Sequence, residues 1–311
     1  MFEGDYLNGE RNGKGREYVD VITEVLTQIL NKIIKFQKEI MNFGKSSKID
    51  MKGDCLNGER NWDEYYDNNK LYYEGEYLNG ERNGKGKEFF INDKLKFEGE
   101  YLEGKIWNGK GYNIKENIEF EIKAGNGKVK EYYYNGTLKF EGEYLNGEGN
   151  GKGKEYDCDG KLKFEGEYLN GERNGKGKEY NKNGKLEFEG EYLNGKRNGK
   201  GKEYDFNGIA FEGEYLNGKR NGKGKEYNYN EIAFEGEYSN GERNGEGKEY
   251  FKKKLKFEGK FLNRKRNGEG KEYYNDGKLK FEGEYLNGKR WNGKSYNKNG
   301  IMDFQIKDGK K

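Results

Sequence analysis

Apolar and polar residues alternate along short segments of this chain. In the segment KLKFEGEYL, residues 161–169, one side of an extended strand carries Leu162, Phe164, Gly166 and Tyr168. The intervening lysine and glutamates lie on the other side. This period of two predicts a β-strand with one buried face and one solvated face.

The same phrase restarts many times along the chain. Its first aromatic residue recurs at a nearly constant spacing, with a degraded copy at Met51 and a partial one at Phe304. About a dozen units result. The clear starts are Phe2, Tyr73, Phe97, Phe120, Phe140, Phe164, Phe188, Phe211, Phe234, Phe257 and Phe281. A fixed short period indicates a repeat architecture, in which neighbouring units share one continuous core.

Each unit is predicted to be a β-hairpin. After the first strand comes NGERNG, residues 170–175, whose Asn-Gly pairs suit turn positions with positive φ. A second strand is predicted at 176–180, followed by an NKNG turn that returns the chain to the next unit. Gly166 and Gly177 lie inside strands, where glycine weakens pairing. Their recurrence predicts that a ring from a neighbouring unit covers the bare backbone.

Composition supports an all-β repeat. Only 31% of the 311 residues are hydrophobic and 38% are charged, which leans toward disorder, but 27 Tyr and 18 Phe oppose that interpretation. The expected fold is an elongated, twisted antiparallel sheet of stacked β-hairpins. The chain has no histidine, so it has no Ser-His or Cys-His nucleophile and no histidine metal ligand. We expect no enzymatic activity, no cofactor and no metal site.

One segment, VDVITEVLTQILNKIIKFQKEIMNF at 19–43, interrupts the repeats. Its apolar residues follow an a/d seam at alternating spacings of four and three, which predicts an amphipathic α-helix. The seam residues are Ile22, Leu26, Ile29, Ile33, Phe36, Ile40 and Phe43. The helix could cap the sheet, form a homodimeric coiled coil or lie on a membrane surface. The domain prediction is therefore a first repeat at 1–18, an insertion at 19–50, and about eleven hairpin repeats over 51–311.

The stretch GKRWNGKS, residues 288–295, has the spacing of a phosphate-binding loop. It aligns with GKRNGKG at 218–224 after insertion of one residue, Trp291. A phosphate loop needs a helix N-terminus after it, whereas the following YNKNGIMDFQI alternates like a turn and a strand. We predict a bulged hairpin loop and no nucleotide binding, and nucleic acid binding is not expected either.

The segment 251–311 is strongly basic. Three lysines replace a turn, and further basic residues fill the next two hairpin loops, which we expect to lie side by side on one edge. The candidate anionic-surface residues are Lys252, Lys253, Lys254, Arg264, Lys265, Arg266, Lys289 and Arg290. Such a cluster favours an acidic phospholipid surface.

The repeating pattern aromatic-x-Gly-x-Tyr-x-Asn-Gly-x-x-Asn-Gly-x-Gly resembles the MORN repeat. The phrasing KEYYNDGKLKFEGEY at 271–285 is most similar to the YwqK-like variant of that family. The resemblance implies an array of hairpins that acts as a non-enzymatic scaffold for protein partners, often at a membrane. Alternatives are a choline- or glycan-binding hairpin array and an antitoxin- or immunity-like repeat protein. The expected location is the cytoplasm, including the cytoplasmic face of a membrane.

Overall fold

A computed structural model describes residues 2–7, 10–17, 50–56, 59–65 and 69–311, with side chains at 64, 65 and 69–311. These residues form strands and turns, and none of them lies in a helix. The helix predicted at 19–43, with its seam and its homodimer contact, lies outside the described residues. The all-β prediction of stacked antiparallel hairpins in an open sheet is confirmed.

The chain divides into two compact units, 1–160 and 161–311. In unit 1, strands β1 to β9 follow sequence order in one sheet, and β10, β11 and β12 pair in the same consecutive way. The strands are β1 Phe2–Leu7, β2 Glu10–Glu17, β3 Asp50–Leu56, β4 Glu59–Tyr65, β5 Leu71–Leu78, β6 Glu81–Phe89, β7 Leu95–Leu102, β8 Lys105–Tyr112, β9 Ile118–Ile122, β10 Gly127–Tyr132, β11 Leu138–Leu145 and β12 Glu148–Tyr156.

In unit 2, strands β13 to β25 also follow sequence order, and each pairs antiparallel with the next. The strands are β13 Leu162–Leu169, β14 Glu172–Tyr180, β15 Leu186–Leu193, β16 Lys196–Asp205, β17 Gly208–Leu216, β18 Lys219–Asn228, β19 Glu231–Ser239, β20 Glu242–Phe251, β21 Lys254–Leu262, β22 Lys265–Tyr273, β23 Leu279–Leu286, β24 Lys289–Tyr296 and β25 Met302–Ile306.

The second strand of each hairpin is longer than the sequence predicted. β14 begins at Glu172, so the turn is only Asn170–Gly171, whereas a strand at 176–180 was expected. The prediction was wrong because it assigned the second Asn-Gly pair to a loop. Gly175 does take a positive φ of 80°, but it does so inside the strand, where the register shifts between Gly166 and Tyr168. The glycine therefore forms a β-bulge.

The core is a row of aromatic rings on one face of the strands, which we call the ring face. Phe188 is fully buried, and its ring meets Tyr192 of its own hairpin at 5.6 Å and Tyr215 of the next at 5.1 Å, both edge-on. Such edge-to-face pairs each add about 0.5–1.5 kcal/mol beyond burial. The same arrangement recurs at Phe164, Phe211 and Phe257, and at Phe234 with Phe261 as the ring of the next hairpin. Phe281 meets Tyr285 of its own hairpin edge-on.

A ring does cover the bare backbone, but it belongs to the glycines' own hairpin and not, as predicted, to a neighbour. A Cβ placed on Gly201 would lie 2.4 Å from the Cζ of Phe188, and one on Gly190 would lie 2.7 Å from it. Both glycines face each other across β15 and β16. Only a residue without a side chain leaves room for the ring, which explains why glycine recurs inside strands despite its poor β-propensity.

Candidate binding groove

The opposite side of the same strands carries rows of Glu and Lys, and we call it the charged face. In the register of unit 2, Lys178 pairs with Glu165 on one side and with Glu189 on the other. The row continues in alternation as far as Lys294. Opposite charges on directly opposed residues stabilise a sheet modestly, by about 0.2–1 kcal/mol per pair. The pairs are solvated, as Lys202 and Glu212 show at a separation of 3.5 Å.

Over the second half of unit 2, the charged face encloses a groove of about 1090 Å³. Its walls are Glu and Lys side chains from β17 to β25. Its floor is the backbone of the paired glycines, including Gly236, Gly247, Gly259 and Gly270. A side chain at these positions would point to the ring face. The charged face therefore has only backbone there, between its rows of Glu and Lys.

The repeated charge pattern changes inside this groove. Glu246 and Glu269 stand where earlier repeats have lysines such as Lys223. Glu246 faces Lys260, but Glu269 lies directly opposite Glu284 in the sheet. Like charges facing each other destabilise a sheet. Glutamates outnumber lysines by seven to five among the groove residues, so the groove has an acidic excess.

A chain of arginine and glutamate side chains lines the ring face and was missed by the sequence reasoning. Arg220 has its guanidinium carbon 4.1 Å from the ring centroid of Phe211 and bonds to Glu203 of the preceding hairpin. It also lies 3.7 Å from Glu226 of its own hairpin. The arginine belongs to the segment predicted as a loop. A signal existed, since each such arginine follows its phenylalanine at a fixed offset, as Arg220 follows Phe211.

Electrostatics hold these glutamates in the charged form. Burial would raise the pKa of Glu226, but hydrogen bonds and the charge of Arg243 outweigh burial and lower that pKa below its ordinary value. The pKa of Glu203 is lowered in the same way, with Arg220 as the main opposing partner to burial. In turn, burial and the nearby Glu226 charge raise the pKa of Tyr238. The tyrosine hydroxyl donates to Glu226 at 2.8 Å.

The eight candidate anionic-surface residues fall into different places. Arg266 and Arg290 lie in the arginine–glutamate chain, where their nitrogens donate to Glu249 and Glu272. Arg264, Lys265 and Lys289 lie at what we call the Asn-Gly edge. Its turns are Asn170–Gly171, Asn194–Gly195, Asn217–Gly218, Asn240–Gly241, Asn263–Arg264 and Asn287–Gly288.

The remaining three candidates, Lys252, Lys253 and Lys254, lie at the other ends of the strands. We call this the return edge, because its turns lead to the next hairpin. The turns are 181–185, 206–207, 229–230, 252–253, 274–278 and 297–301. Strands of about nine residues at about 3.3 Å each separate the two edges by roughly 30 Å. The two hairpin loops predicted to be neighbours do share one edge, and the three lysines occupy the opposite one.

The phosphate-loop-like stretch is part of strand β24, with a register shift between Glu284 and Tyr285 in its partner. Ser295 is buried and its hydroxyl donates to the carbonyl of Lys280 at 3.3 Å. A turn and strand β25 follow. The backbone of Trp291 binds the last turn of the chain, because its carbonyl accepts a hydrogen bond from the amide of Gly309 at 2.8 Å. Trp107 and Gly125 form the equivalent contact in unit 1.

Within the described residues, no group of three or more Cys, Asp or Glu side chains is placed to hold a metal ion. The same part of the chain contains no helix with the length and apolar character needed to cross a membrane.

Two sequence-family profiles match the chain. The profile described as MORN repeat matches residues 2–20, 73–93, 140–161, 164–185, 188–209, 211–230 and 234–255. The profile described as MORN repeat variant matches 126–146 and 266–287. Together they cover more than half of the chain. No curated protein matches significantly.

Solved structures show only faint likeness. A TcdB2–TccC3–TEV crystal structure is 10% identical over 83% of this chain and 17% of its own, with a TM-score of 0.16. A TcdB2–TccC3–Cdc42 crystal structure is 10% identical over 97% of this chain and 20% of its own, at 0.15. A structure of the Photorhabdus luminescens Tc holotoxin pore is 11% identical over 98% of this chain and 20% of its own, with a TM-score of 0.15. The chain thus spans about a fifth of the length of these structures.

Proposed function

This chain belongs to the MORN-repeat family, and we propose that it is a non-enzymatic scaffold that holds a protein segment in the charged groove of unit 2. MORN repeats are generally motifs of protein or membrane interaction. The observation that carries the proposal is the groove itself, which runs across β17 to β25 and is lined by side chains that the core does not use.

The chemistry of the groove favours a polypeptide over a small molecule. Small-molecule pockets bury most of their ligand. This groove instead extends over several hairpins, and glutamates, lysines and glycine backbone line it. An extended or helical segment can place a charged side chain against each successive hairpin. The acidic excess, with Glu246 and Glu269 in lysine positions, favours a segment rich in lysine and arginine.

A choline- or glycan-binding array is less well supported. Such modules cage their ligands between exposed aromatic rings. Here the repeat-defining rings from Phe164 to Phe281 are fully buried, and an arginine lies over each of them. Those rings have no open face for a quaternary ammonium group or a sugar.

Photo-crosslinking in the cell of origin tests the scaffold proposal. A photoreactive amino acid replaces Gln305, an uncharged residue of the groove, so the charges of the groove are unchanged. We expect a discrete protein adduct whose crosslinked peptide is rich in lysine and arginine. The combined changes Glu246→Lys and Glu269→Lys should abolish that adduct.

The matched control places the photoreactive residue at Glu187, which is exposed on β15 outside the groove. If the same adduct forms from both positions, the partner contacts the sheet without occupying the groove. Failure to form any adduct from Gln305, or an adduct indifferent to the two charge reversals, would contradict the proposal.

A further inference from the structure

Three consecutive turns of the return edge each expose an aromatic side chain. Phe206 is 86% exposed, Tyr229 is 72% exposed and Phe251 is 59% exposed. Rings that define the repeat, such as those of Phe211 and Tyr215, are buried, so these three rings are additions to the repeat pattern. Together they present roughly 400 Å² of ring surface. This area is comparable with the largest apolar patch of a typical monomer, which often binds a partner.

An aromatic residue in a longer return turn has a structural role that these rings do not share. Tyr274 lies in the turn 274–278, is partly buried and donates a hydrogen bond to the carbonyl of Tyr296 in the following hairpin at 2.8 Å. Phe206 and Phe251 have no hydroxyl and cannot form such a bond. The stability of the sheet therefore does not account for these two phenylalanines.

The turns that carry the three rings are shorter than the other return turns of unit 2. They are 206–207, 229–230 and 252–253, whereas the repeat that starts at Phe164 returns through 181–185. In each short turn the two strands gain one further residue pair next to the turn. The aromatic residue therefore lies at the tip of the turn or in the last pair before it.

The residues at two of these tips are poorly suited to the turns they form. Tyr229 and Asn230 have φ of 49° and 62°, and Lys252 and Lys253 have 49° and 61°. Two-residue turns with positive φ at both positions favour Asn-Gly, and a bulky residue there is uncommon. Folding alone favours different residues, so the aromatic and basic tips point to a function.

The three turns form one row. A Cβ on Gly208 would lie 2.7 Å from the Oδ1 of Asn230, which places the first turn against the second. Lys253 lies 3.7 Å from Glu231, which places the third turn against the second. With two strands per repeat, neighbouring turns are about 10 Å apart, so the three rings span roughly 20 Å along the return edge.

The spacing of this row fits one side of an α-helix. A helix advances about 10.5 Å in seven residues, and residues seven apart lie on the same side. A helix that runs along the edge, across the strands, can therefore place one apolar residue against each ring. An extended segment fits less well, because it covers about 10 Å in three residues and every third residue points to the opposite side.

The charges beside the rings differ along the row. Three exposed lysines, 252–254, lie at the third turn, and they favour carboxylates on a partner. Asp205 precedes the first ring, and Glu231 lies two residues after the second. An anionic bilayer would repel these two acidic residues, whereas a helix can place neutral or basic residues opposite them. The charges therefore favour a protein partner.

We propose that the return edge at 205–254 binds an amphipathic helix of a partner protein. Three apolar residues of that helix, about seven residues apart, pack on the rings of Phe206, Tyr229 and Phe251. Aspartate or glutamate residues beside the third of them pair with the lysines at 252–254. This site lies on the edge of the sheet and the groove lies on the charged face, so neither proposal depends on the other.

The Asn-Gly edge offers a matched control surface. It carries its own basic residues, Arg264 and Lys289, and exposed leucines such as Leu216. These leucines recur in most repeats, so they belong to the repeat pattern. The Asn-Gly edge lies roughly 30 Å from the return edge, several times the Debye length of about 8 Å at physiological salt.

Photo-crosslinking in the cell of origin tests the proposal. A photoreactive phenylalanine analogue replaces Phe206, Tyr229 or Phe251 in the full chain, one position in each variant. We expect all three variants to form an adduct with one segment of the same partner, at partner residues about seven apart. Acidic residues should flank the partner residue that is reached from position 251.

A charge reversal tests the role of the lysines. Lys252→Glu combined with Lys253→Glu should lower the yield of the adduct from position 229 by roughly tenfold or more. The melting temperature should stay unchanged, because both side chains are exposed. The matched control combines Arg264→Glu with Lys289→Glu at the Asn-Gly edge, and it should leave that yield intact. A photoreactive residue at Leu216 should form no adduct with the same segment.

Several results would overturn the proposal. These are the absence of any adduct from the three positions, adducts confined to lipid or to a second copy of this chain, and contacts at every second or third residue of the partner. An equal loss of yield from the two charge reversals would overturn it as well. Glu246→Lys combined with Glu269→Lys should leave the adducts of the return edge unchanged, so the groove and the edge are tested independently.

Discussion

The two faces of the same strands in unit 2 differ in how deeply their side chains are buried. On the ring face, Phe188 is fully buried between Tyr192 and Tyr215, and Arg197 lies over its ring at 4.1 Å. On the charged face, Lys202 reaches Glu212 through solvent-exposed side chains. Residues on the two faces of β16 therefore differ in how much they contribute to the stability of unit 2.

This difference shows how a repeat can separate stability from binding. Tight packing on the ring face fixes residue identity, and each ring is shared by two neighbouring hairpins. Solvated ion pairs on the charged face contribute little, so their residues are free to change. The departures at Glu246 and Glu269 occur on the charged face. The ring face keeps its Phe, Gly and Arg through the same repeats.

The largest expected effect is the loss of a shared ring. Phe188→Ala should destabilise unit 2 by about 3–5 kcal/mol, because the change removes a fully buried ring and leaves a cavity between two hairpins. Urea unfolding followed by tyrosine fluorescence measures this. Phe206→Ala removes an identical side chain from an exposed turn and should change stability by no more than about 0.5 kcal/mol. Similar losses from both variants would contradict the division between the buried ring face and exposed positions.

A smaller effect is expected from adding one methyl group to the ring face. Gly201→Ala places a Cβ 2.4 Å from the Cζ of the buried Phe188, so the ring must shift at a cost of about 1–3 kcal/mol. Lys202→Ala, the next residue along, should cost no more than about 0.5 kcal/mol. Thermal melting of the two single variants gives the comparison directly. A Gly201→Ala variant as stable as the wild type would show that the ring does not need bare backbone.

Lowering the pH should reduce the stability of the ring face gradually. Because the pKa of Glu226 is lowered in the folded protein, its contribution is present above its ordinary pKa of 4.5 and is lost as pH falls below that value. Unfolding free energy should therefore decline between about pH 5 and pH 3. Glu226→Gln should make this decline shallower. An identical pH profile for the variant would show that Glu226 does not contribute to the decline.

Much of this fold could be predicted from the sequence, because every repeat shows the same pattern of residues. The alternation around Phe164 predicted the strand and its buried side, and recurrent glycines at Gly166 and Gly177 predicted the covering ring. Arg173 was assigned to a loop, since a single copy of NGERNG looks like turn residues. Only the contact with Phe164 at 4.1 Å shows that the arginine belongs to the ring face.

The groove and the two edges could not be predicted from the pattern alone. Their existence depends on how the sheet curves and on which turns lie at the same strand ends. The basic residues were grouped by sequence distance, yet Lys253 and Arg264 lie at opposite edges and Arg266 lies on the ring face. The shorter repeats were visible in the sequence, but their consequence, a short return turn with an exposed aromatic residue, required the register of the strands.

The most direct test of the separation between faces is one variant measured in two ways. Glu246→Lys combined with Glu269→Lys reverses the charge of the groove and leaves the ring face intact. The first change loses the opposite charge of Lys260 and the second gains that of Glu284, so the two effects on pairing offset each other. Unfolding free energy in urea should stay within about 0.5 kcal/mol of the wild type, while the protein adduct formed from Gln305 disappears. A loss of several kcal/mol would show that the charged face carries the fold, and an undiminished adduct would show that the groove charge does not select the partner.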